Sequence, residues 1–346
     1  MTDSVSPGGD LRDHRVQIEN YFAKRVLRMK NFIIWAILIG VLGYGGAKLY
    51  MHNKVSDTMD LVVLQMSPFA NVEYDGVAST LTGELMVEGV RVRVDGYTDY
   101  LTIDSIGIDT PSFLSLISLT DLSSQGPDAM PEYIGFLIEG LRIPADADYY
   151  KDFYEFSLAA RNVENETSVS AECTGKYGFS PAALSGLGYQ DQVMAMSMHL
   201  RDEDSSYSIE MDASIADMWD VVASVDLDGN MITEMSKGMA YQPKLRSMHI
   251  EYTDQSLNGR VSRYCEQRGL SPADVLRAQI DAFRMVGEMY GIEFDQYIID
   301  PYKEFLLGKS SLIVTAHPTN PVAFSQIDLY APTDVPALLN LAAVAR

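Results

Sequence analysis

Apolar and polar residues alternate along much of the chain, and this two-residue period predicts β-strands. Val90, Val92 and Val94 alternate with Arg91 and Arg93, which places one face of a strand in the core and the other in water. The same period recurs at 101–108, with one phase shift near 104–105, where we expect a bulge. It is also found in three later segments: Met194, Met196 and Met198; Tyr207, Ile209 and Met211; and the run from Trp219 to Leu227. Because short turns such as Asp228-Gly229 join these runs, we expect an antiparallel sheet, with strands continuing from Asp152 to Leu227.

The C-terminal third changes to helical patterning. Ser271-Pro272-Ala273-Asp274 is typical of a helix start, with a capping serine and a proline in the first turn, and Gly291 can end that helix. The remaining predicted elements are a short helix over 111–122, a strand over 246–254, a helix near 294–307, strands over 311–316 and 324–330, and a terminal helix over 335–344.

One eight-residue pattern occurs twice, at 85–92 and at 136–143. Both copies read apolar-apolar-apolar-Glu-Gly-apolar-Arg-apolar. Two interpretations stay open: a duplicated strand unit within one sheet, or chance similarity between two strands.

An uncharged apolar stretch, Phe32 to Ala47, precedes this body. Extended to Met51 it reaches about 20 residues, the length of a transmembrane helix, and Lys24, Arg25, Arg28 and Lys30 come before it. The positive-inside rule therefore predicts a cytoplasmic N-terminus and an extracytoplasmic body. A cleavable signal peptide, with small residues at 45–47, and a buried core helix are the alternatives.

The predicted organisation follows from this stretch. It comprises a cytoplasmic arm at 1–31, a transmembrane helix at 32–51, a linker at 52–60 and a β-rich region at 61–346 with a sub-boundary near 145–150. Gly43 and Ala47 have the small-residue spacing that lets membrane helices pack closely. The predicted fold class is α+β: a single N-terminal transmembrane helix followed by a mainly antiparallel β-rich extracytoplasmic domain with C-terminal helices.

The charge of the chain restricts its partners. The net charge is −22, and the first 31 residues carry six basic and four acidic side chains, so they contribute +2 and the remainder carries −24. Such a body is a poor partner for nucleic acid or for anionic lipid headgroups, which attract Lys and Arg. The acidic surface indicates a soluble, self-repelling body, or one that docks to a basic partner or to divalent cations.

The candidate chemistry is sparse. Cys173 and Cys265 permit one disulfide in an oxidising compartment, the alternative being two unpaired buried thiols. The four histidines of the body (His52, His199, His249 and His317) never stand three or four residues apart, so no helical zinc pair is predicted. Gly-x-Ser-x-Gly is absent, and Gly308-Lys309-Ser310 lacks the earlier glycine of a phosphate loop. We therefore predict no catalytic residue, cofactor or metal site.

Methionines are frequent in the predicted strands. Met194, Met196 and Met198, together with Trp219, are candidates for an adaptable apolar groove, because thioethers repack around varied partners. The alternative is that they form ordinary core.

Glycine and aliphatic spacing in the first strands resembles a family of bacterial envelope proteins. The residues that carry the resemblance are Tyr74-Asp75-Gly76-Val77, Leu81 to Leu85, Val87 to Val90, Leu101 to Ile106 and the closing Pro318 to Tyr330. They are similar to the repeated strands of AsmA-like and YdgA-like (DUF945) proteins. The resemblance implies an N-terminal membrane segment and a β-rich periplasmic body, and it supplies no catalytic residues.

The functional expectation combines these observations. We expect a non-enzymatic bacterial inner-membrane protein with a periplasmic body, which maintains the envelope by handling lipid or by scaffolding other envelope proteins. Its expected partners are the bilayer, through 32–51, and phospholipid or other envelope proteins, but not nucleic acid. A structural subunit of a larger membrane assembly is the alternative, and a periplasmic enzyme is the third class.

Overall fold

The computed structural model describes residues 60, 63–80, 82–112, 115–116, 131–160, 169–176, 178–203, 206–229, 242–327 and 329–346. Within these residues, twelve strands form one antiparallel sheet. The strands are β1 Ala70–Glu73, β2 Gly76–Ser79, β3 Leu85–Val94, β4 Leu101–Asp109, β5 Tyr133–Pro144, β6 Asp191–Glu203, β7 Ser206–Ile215, β8 Trp219–Asp228, β9 Lys244–Asp254, β10 Ser311–Ala316, β11 Val322–Ala323 and β12 Leu341–Ala345.

The sheet is a meander in which each long strand pairs with the next along the chain. Its order is β1-β3-β4-β5-β6-β7-β8-β9-β10-β12. β1 and β2 pair with opposite halves of β3, and β10 and β11 pair with different parts of β9. The sheet runs unbroken from β5 to β6, across the predicted sub-boundary near 145–150, and helices are inserted there.

The helices lie between β5 and β6 and in the C-terminal third. They are α1 Asp148–Ala160, α2 Val169–Thr174, α3 Pro181–Leu187, α4 Leu257–Gln267, α5 Pro272–Met289, α6 Gln296–Leu306, α7 Phe324–Ile327 and α8 Val335–Leu338. α5 begins as its sequence predicts, because Ser271 Oγ accepts a hydrogen bond of 3.2 Å from the amide of Asp274.

The two faces of the sheet differ in chemistry because the register carries side-chain alternation from strand to strand. Successive cross-strand partners on one face are Phe136, Met198, Met211, Ala223 and Ile250. The adjacent row of partners on the opposite face is Gly135, His199, Glu210, Ser224 and His249. We call these the apolar face and the polar face, and α4, α5 and α6 lie over the β9–β12 part of the apolar face.

The predicted fold class and the membrane and single-pass descriptions need correction. Among the described residues, none of the helices combines the length and the apolar character needed to cross a bilayer. The fold that is seen is an antiparallel β-sheet with several helices. The predicted membrane segment at 32–51, with Gly43 and Ala47, lies outside the described residues.

Several local predictions were also wrong. The described residues between Asp152 and Leu187 are mainly helical rather than β, and the predicted strand at 324–330 is the single turn α7. β11 stops at Ala323 opposite Lys244, because the preceding partner position is Pro243, which has no amide to donate. Most of the predicted helix at 111–122 lies outside the described residues.

The predicted terminal helix at 335–344 is also wrong beyond its first turn. Asn340 adopts φ 47° and so ends α8. The next residues form β12, which pairs with β10.

Both copies of the repeated pattern lie in the same sheet, in β3 and β5. Gly89 and Gly140 have φ values of 64° and 63°. A β-carbon built on Gly89 would lie 2.1 Å from Asp75 Oδ2, and one on Gly140 would lie 1.9 Å from Asp104 Oδ2. The bulge expected near 104–105 is instead in β5, where the register against β6 shifts between Ile138 and Leu141.

The structure joins Cys173 of α2 to Cys265 of α4 in a disulfide. Their α-carbons are 5.4 Å apart, and 92 residues separate them along the chain. Both are fully buried in a cluster that includes Leu184, Val261 and Val275. The bond therefore links α2, one of the helices between β5 and β6, to α4. We call α4, α5 and α6 the helical layer.

Removing this bond should destabilise the fold. We expect the paired substitutions Cys173→Ser and Cys265→Ser to lower the free energy of unfolding by about 2–5 kcal/mol, because the unfolded chain loses a long closed loop. Urea denaturation measures this, and wild-type protein in a reductant should show the same shift. Equal midpoints with and without reductant would contradict it.

Gly140→Ala should lower the free energy of unfolding by about 1–3 kcal/mol, since the new β-carbon meets both an unfavourable φ and the Asp104 side chain. Gly96→Ala is the matched control: Gly96 has φ 95°, but a β-carbon added there would have no neighbour within 4 Å. Chemical denaturation of both variants separates backbone strain from the steric clash. Equal losses would show that the clash contributes nothing.

Candidate functional site

The four residues predicted to line an apolar groove do lie on one face of the sheet. Met194 and Trp219 are connected through Ile215, which pairs with both. Ile215 belongs to the buried cluster beside α3 and α4, and Met194 and Trp219 are partly buried and pack against it. Met196 and Met198 continue along β6 and are half-buried. None of the four lines the main cavity, which opens over β9, β10 and β12.

That cavity has a volume of about 780 Å³ and lies between the sheet and the helical layer. Its floor consists of apolar-face residues of three neighbouring strands: Leu245, Met248, Ile250 and Tyr252 of β9, Leu312 and Val314 of β10, and Leu341 of β12. Ligand cavities in proteins typically measure about 300–1,000 Å³ and are mainly apolar. This cavity has the size and lining of a small-molecule site.

A β-bulge in β9 extends the floor. Asp226 pairs with Ser247 but the next residue, Leu227, pairs with Leu245, so Arg246 is an extra residue in β9. The bulge brings Leu245 and Met248, three positions apart, onto the same face. Leu245 and Tyr252 pair with Leu227 and Val221 of β8, which are six residue steps apart, so the floor is about 20 Å long at about 3.3 Å per residue.

The roof is built from aromatic rings of α5, α6 and the turn between them. Phe283 stacks on Phe294 at 4.7 Å between ring centroids and on Tyr302 at 4.2 Å. Phe305 then makes an edge-to-face contact with Tyr252 of the floor, at 5.4 Å. Such ring pairs add to the stability gained by burial, so they fix the roof relative to the floor.

Tyr290 and Phe324 mark the opening to solvent. Both line the cavity, yet Tyr290 is 71% exposed and Phe324 is 43% exposed. Through this rim a ligand can reach the space without unfolding of the helical layer.

The lining is uncharged, and its polar groups are few. Among the described residues that line the cavity there is no Asp, Glu, Lys, Arg or His. Its polar side chains are Thr174, Asn258, Gln279, Tyr252, Tyr290 and Tyr302. The Asn258 side-chain nitrogen Nδ2 is buried and has no hydrogen-bond partner.

Tyr302 and Tyr252, two of the tyrosines that line the cavity, have raised pKa values. Burial raises the pKa of Tyr302 to about 12. Burial also raises the pKa of Tyr252, and the nearby Asp254 carboxylate adds to this effect. Both phenols are therefore neutral at physiological pH, and each can donate or accept a hydrogen bond.

Asp254 lies just outside the lining, at the start of α4. Its Oδ1 accepts a hydrogen bond of 2.9 Å from the amide of Asn258. Burial raises the pKa of Asp254, although hydrogen bonds from the amides of Asn258 and Leu257 oppose the rise. This carboxylate fixes the backbone of Asn258, which lines the cavity.

The histidines lie elsewhere. His199 and His249 are on the polar face, and His199 Nδ1 contacts the Tyr133 hydroxyl. Tyr133 donates to Asp109 Oδ2 at 2.9 Å, so it accepts from His199. The described part of the chain has no group of three or more His, Cys, Asp or Glu side chains arranged to hold a metal ion.

A second hollow of about 510 Å³ lies beside β1 and β2, lined by Asp60, Glu73 and Asp75 among others. It does not suit a ligand as well, because Arg91 already pairs with Asp75 at 2.9 Å and with Glu73 at 3.5 Å. These side chains are largely exposed, which makes such pairs weak.

Comparison with protein-family models gives a match over the C-terminal part of the chain. Residues 188–346 match a family model described as "Uncharacterized protein". The matched part contains every residue that lines the 780 Å³ cavity except Thr174 and Phe179. No curated protein matches the chain.

The raised pKa of Tyr302 predicts a loss of stability in alkali. Unfolded tyrosine ionises near pH 10 and folded Tyr302 near pH 12. Between about pH 10 and pH 12 this tyrosine loses its proton in the unfolded chain but keeps it in the folded protein. The free energy of unfolding therefore falls as pH rises through this interval, and Tyr302 has no such effect below pH 10. Tyr302→Phe should lose less stability over this interval than wild type, as measured by urea denaturation.

A Tyr302→Phe variant whose stability falls as steeply as wild type between these two pH values would contradict the prediction.

Proposed function

We propose that this protein binds the hydrocarbon chain of a lipid in the cavity between β9, β10, β12 and helices α4–α6. The observation that carries the proposal is an uncharged, aromatic-roofed space of about 780 Å³ between the sheet and the helices over it. Protein interiors leave few voids larger than a water molecule. An apolar space of this size therefore favours an apolar occupant.

The energetics support this proposal. The opening at Tyr290 and Phe324 lets water reach the apolar lining. A hydrocarbon that covers this lining removes apolar surface from water, which is favourable by about 25 cal/mol per Å².

The dimensions fit one lipid chain. A bilayer hydrocarbon core is about 30 Å thick, so one acyl chain spans about 15 Å. The floor from Leu245 to Tyr252 is about 20 Å long at the usual rise of a strand. A single chain can therefore lie along β9 with room for a polar end.

The role we propose is binding and carriage rather than catalysis, in an oxidising compartment such as the bacterial periplasm. The disulfide between Cys173 and Cys265 supports that location, because such bonds persist in oxidising compartments. The acidic surface, part of a net charge of −22, keeps a carrier soluble and away from anionic membrane surfaces.

Filling the cavity tests the proposal. Ile250→Trp adds an indole in the middle of the floor, and we expect it to weaken binding of the neutral fluorescent hydrocarbon diphenylhexatriene at least tenfold. It should not lower the thermal midpoint of the unliganded protein, since the indole fills empty space.

Val222→Trp is the matched control. Val222 pairs with Glu251, next to Ile250, but lies on the polar face and is 49% exposed. Its replacement should leave diphenylhexatriene affinity unchanged. Wild-type protein that does not bind the probe, or a folded Ile250→Trp variant that binds it as well as wild type, would overturn the proposal.

A further inference from the structure

Exposed apolar side chains cluster around the opening of the cavity. They lie in two segments, one at the end of α5 and one that begins with α7. Six large side chains of these segments are 43–81% exposed: Val286, Met289, Tyr290, Phe324, Leu329 and Tyr330. We call these six residues the rim patch. Apolar side chains gathered on a surface, unlike single ones, mark a site of contact.

The two segments are neighbours at the opening. Tyr290 and Phe324, one from each segment, both line the cavity. The amide of Glu293, just after α5, donates a hydrogen bond of 3.0 Å to the carbonyl of Pro332. This bond joins the chain after α5 to the chain that carries Leu329. The rim patch is therefore continuous with the apolar lining.

The sequence around the rim patch carries few charges. The segments 286–292 and 324–332 contain two acidic residues, Glu288 and Asp328, and no Lys or Arg. The basic residue that most closely precedes them, Arg284, already lies 3.8 Å from the carboxylate of Asp281. Anionic lipid headgroups attract Lys and Arg, so these segments do not suit an anionic membrane.

From this clustering we propose, building on the lipid binding proposed above, that the rim patch docks on a lipid surface without net charge, such as a zwitterionic bilayer. The cavity would take up its hydrocarbon from that surface. Aromatic and aliphatic side chains bind at the headgroup boundary through the apolar area that they bury there. Because Tyr290 and Phe324 belong both to the patch and to the lining, a hydrocarbon chain can pass between them with little exposure to water.

Charge favours this occupant over a second copy of the chain. Each chain carries a net charge of −22, so two copies repel one another. A zwitterionic surface has no net charge that opposes the approach. A basic protein would be attracted to the acidic surface as a whole rather than to this apolar patch.

Contact with lipid is measured with a fluorescent label at one position. The full chain with Leu329→Cys carries nitrobenzoxadiazole on the added thiol, since Cys173 and Cys265 are joined to each other. It is mixed with phosphatidylcholine vesicles that bear a quenching nitroxide on the acyl chain. The control is Phe153→Cys on α1, because Phe153 is 66% exposed and does not line the cavity.

We expect the label at 329 to lose about half of its fluorescence and the label at 153 to keep it, because side chains at the headgroup boundary lie within reach of the acyl chains. Attachment of the chain to vesicles at some other place quenches neither label. Anionic phosphatidylglycerol added to the vesicles should reduce the quenching at 329, since it repels the acidic chain.

A double variant tests uptake. Met289→Asp with Leu329→Asp places two charges in the rim patch but leaves the lining intact, because neither residue lines the cavity. We expect it to take up diphenylhexatriene from the vesicles about tenfold more slowly than wild type, with unchanged affinity at equilibrium. Phe153→Asp with Phe156→Asp, at exposed positions of α1, is the matched control and should keep the wild-type rate.

The outcomes separate the two proposals. Equal quenching at 329 and 153, or a wild-type uptake rate in the Met289 and Leu329 variant, overturns the docking, while equilibrium binding of diphenylhexatriene leaves the lipid-binding proposal standing. Quenching that grows with phosphatidylglycerol overturns the preference for an uncharged surface. A label at 329 that responds to protein concentration without vesicles identifies a second copy as the occupant and also overturns the docking. Wild-type protein that does not bind diphenylhexatriene overturns lipid binding, and with it uptake through the rim.

Discussion

The stack of Phe294, Phe283 and Tyr302 is the interaction on which the cavity depends. It joins α5 and α6 into one roof, and Phe305 connects that roof to Tyr252 in the floor. Rings are wide and stiff, so they hold the helical layer away from β9 and β10 where smaller side chains would let it collapse. The floor beneath can then consist of ordinary aliphatic residues and still bound a space.

The chemistry of the cavity contrasts with that of the surface. The chain is strongly acidic, with a net charge of −22, yet the described lining carries no charge. Alternation in the strands produces this separation, because His249 and Glu251 point to the polar face while Met248 and Ile250 point into the cavity. One strand thus supplies both a soluble exterior and an apolar interior.

The regular parts of the fold could be predicted from sequence because their signals are local and repeated. The run from Trp219 to Leu227 and the helix after Ser271 were predicted with nearly correct bounds. The prediction failed at 335–344, where a short apolar run is compatible with either helix or strand. There the outcome depends on Asn340, whose positive φ ends α8, and on the distant partner strand β10.

The cavity itself could not be predicted, since it depends on how far apart two layers stand. The groove was predicted at the methionines of β6 because they alternate regularly with other residues. The cavity instead begins at β9, three strands away from β6 in the sheet. A signal was present at 283–305, where aromatic residues recur in two predicted helices and their connection. Which rings would stack, and which would face the sheet, is decided only by the packing of α5 on α6.

The disulfide adds a constraint that links the two halves of the chain at the polar end of the cavity. Cys173 and Cys265 join α2 to α4, and the space is lined by Thr174, beside Cys173, and by Val261, one turn before Cys265. A cross-link at this point limits local opening of α2 and α4, which both border the cavity. The aromatic stack and the disulfide therefore hold different ends of the same layer, which leaves the exposed rim at Tyr290 and Phe324 as the part least restrained against opening for a ligand.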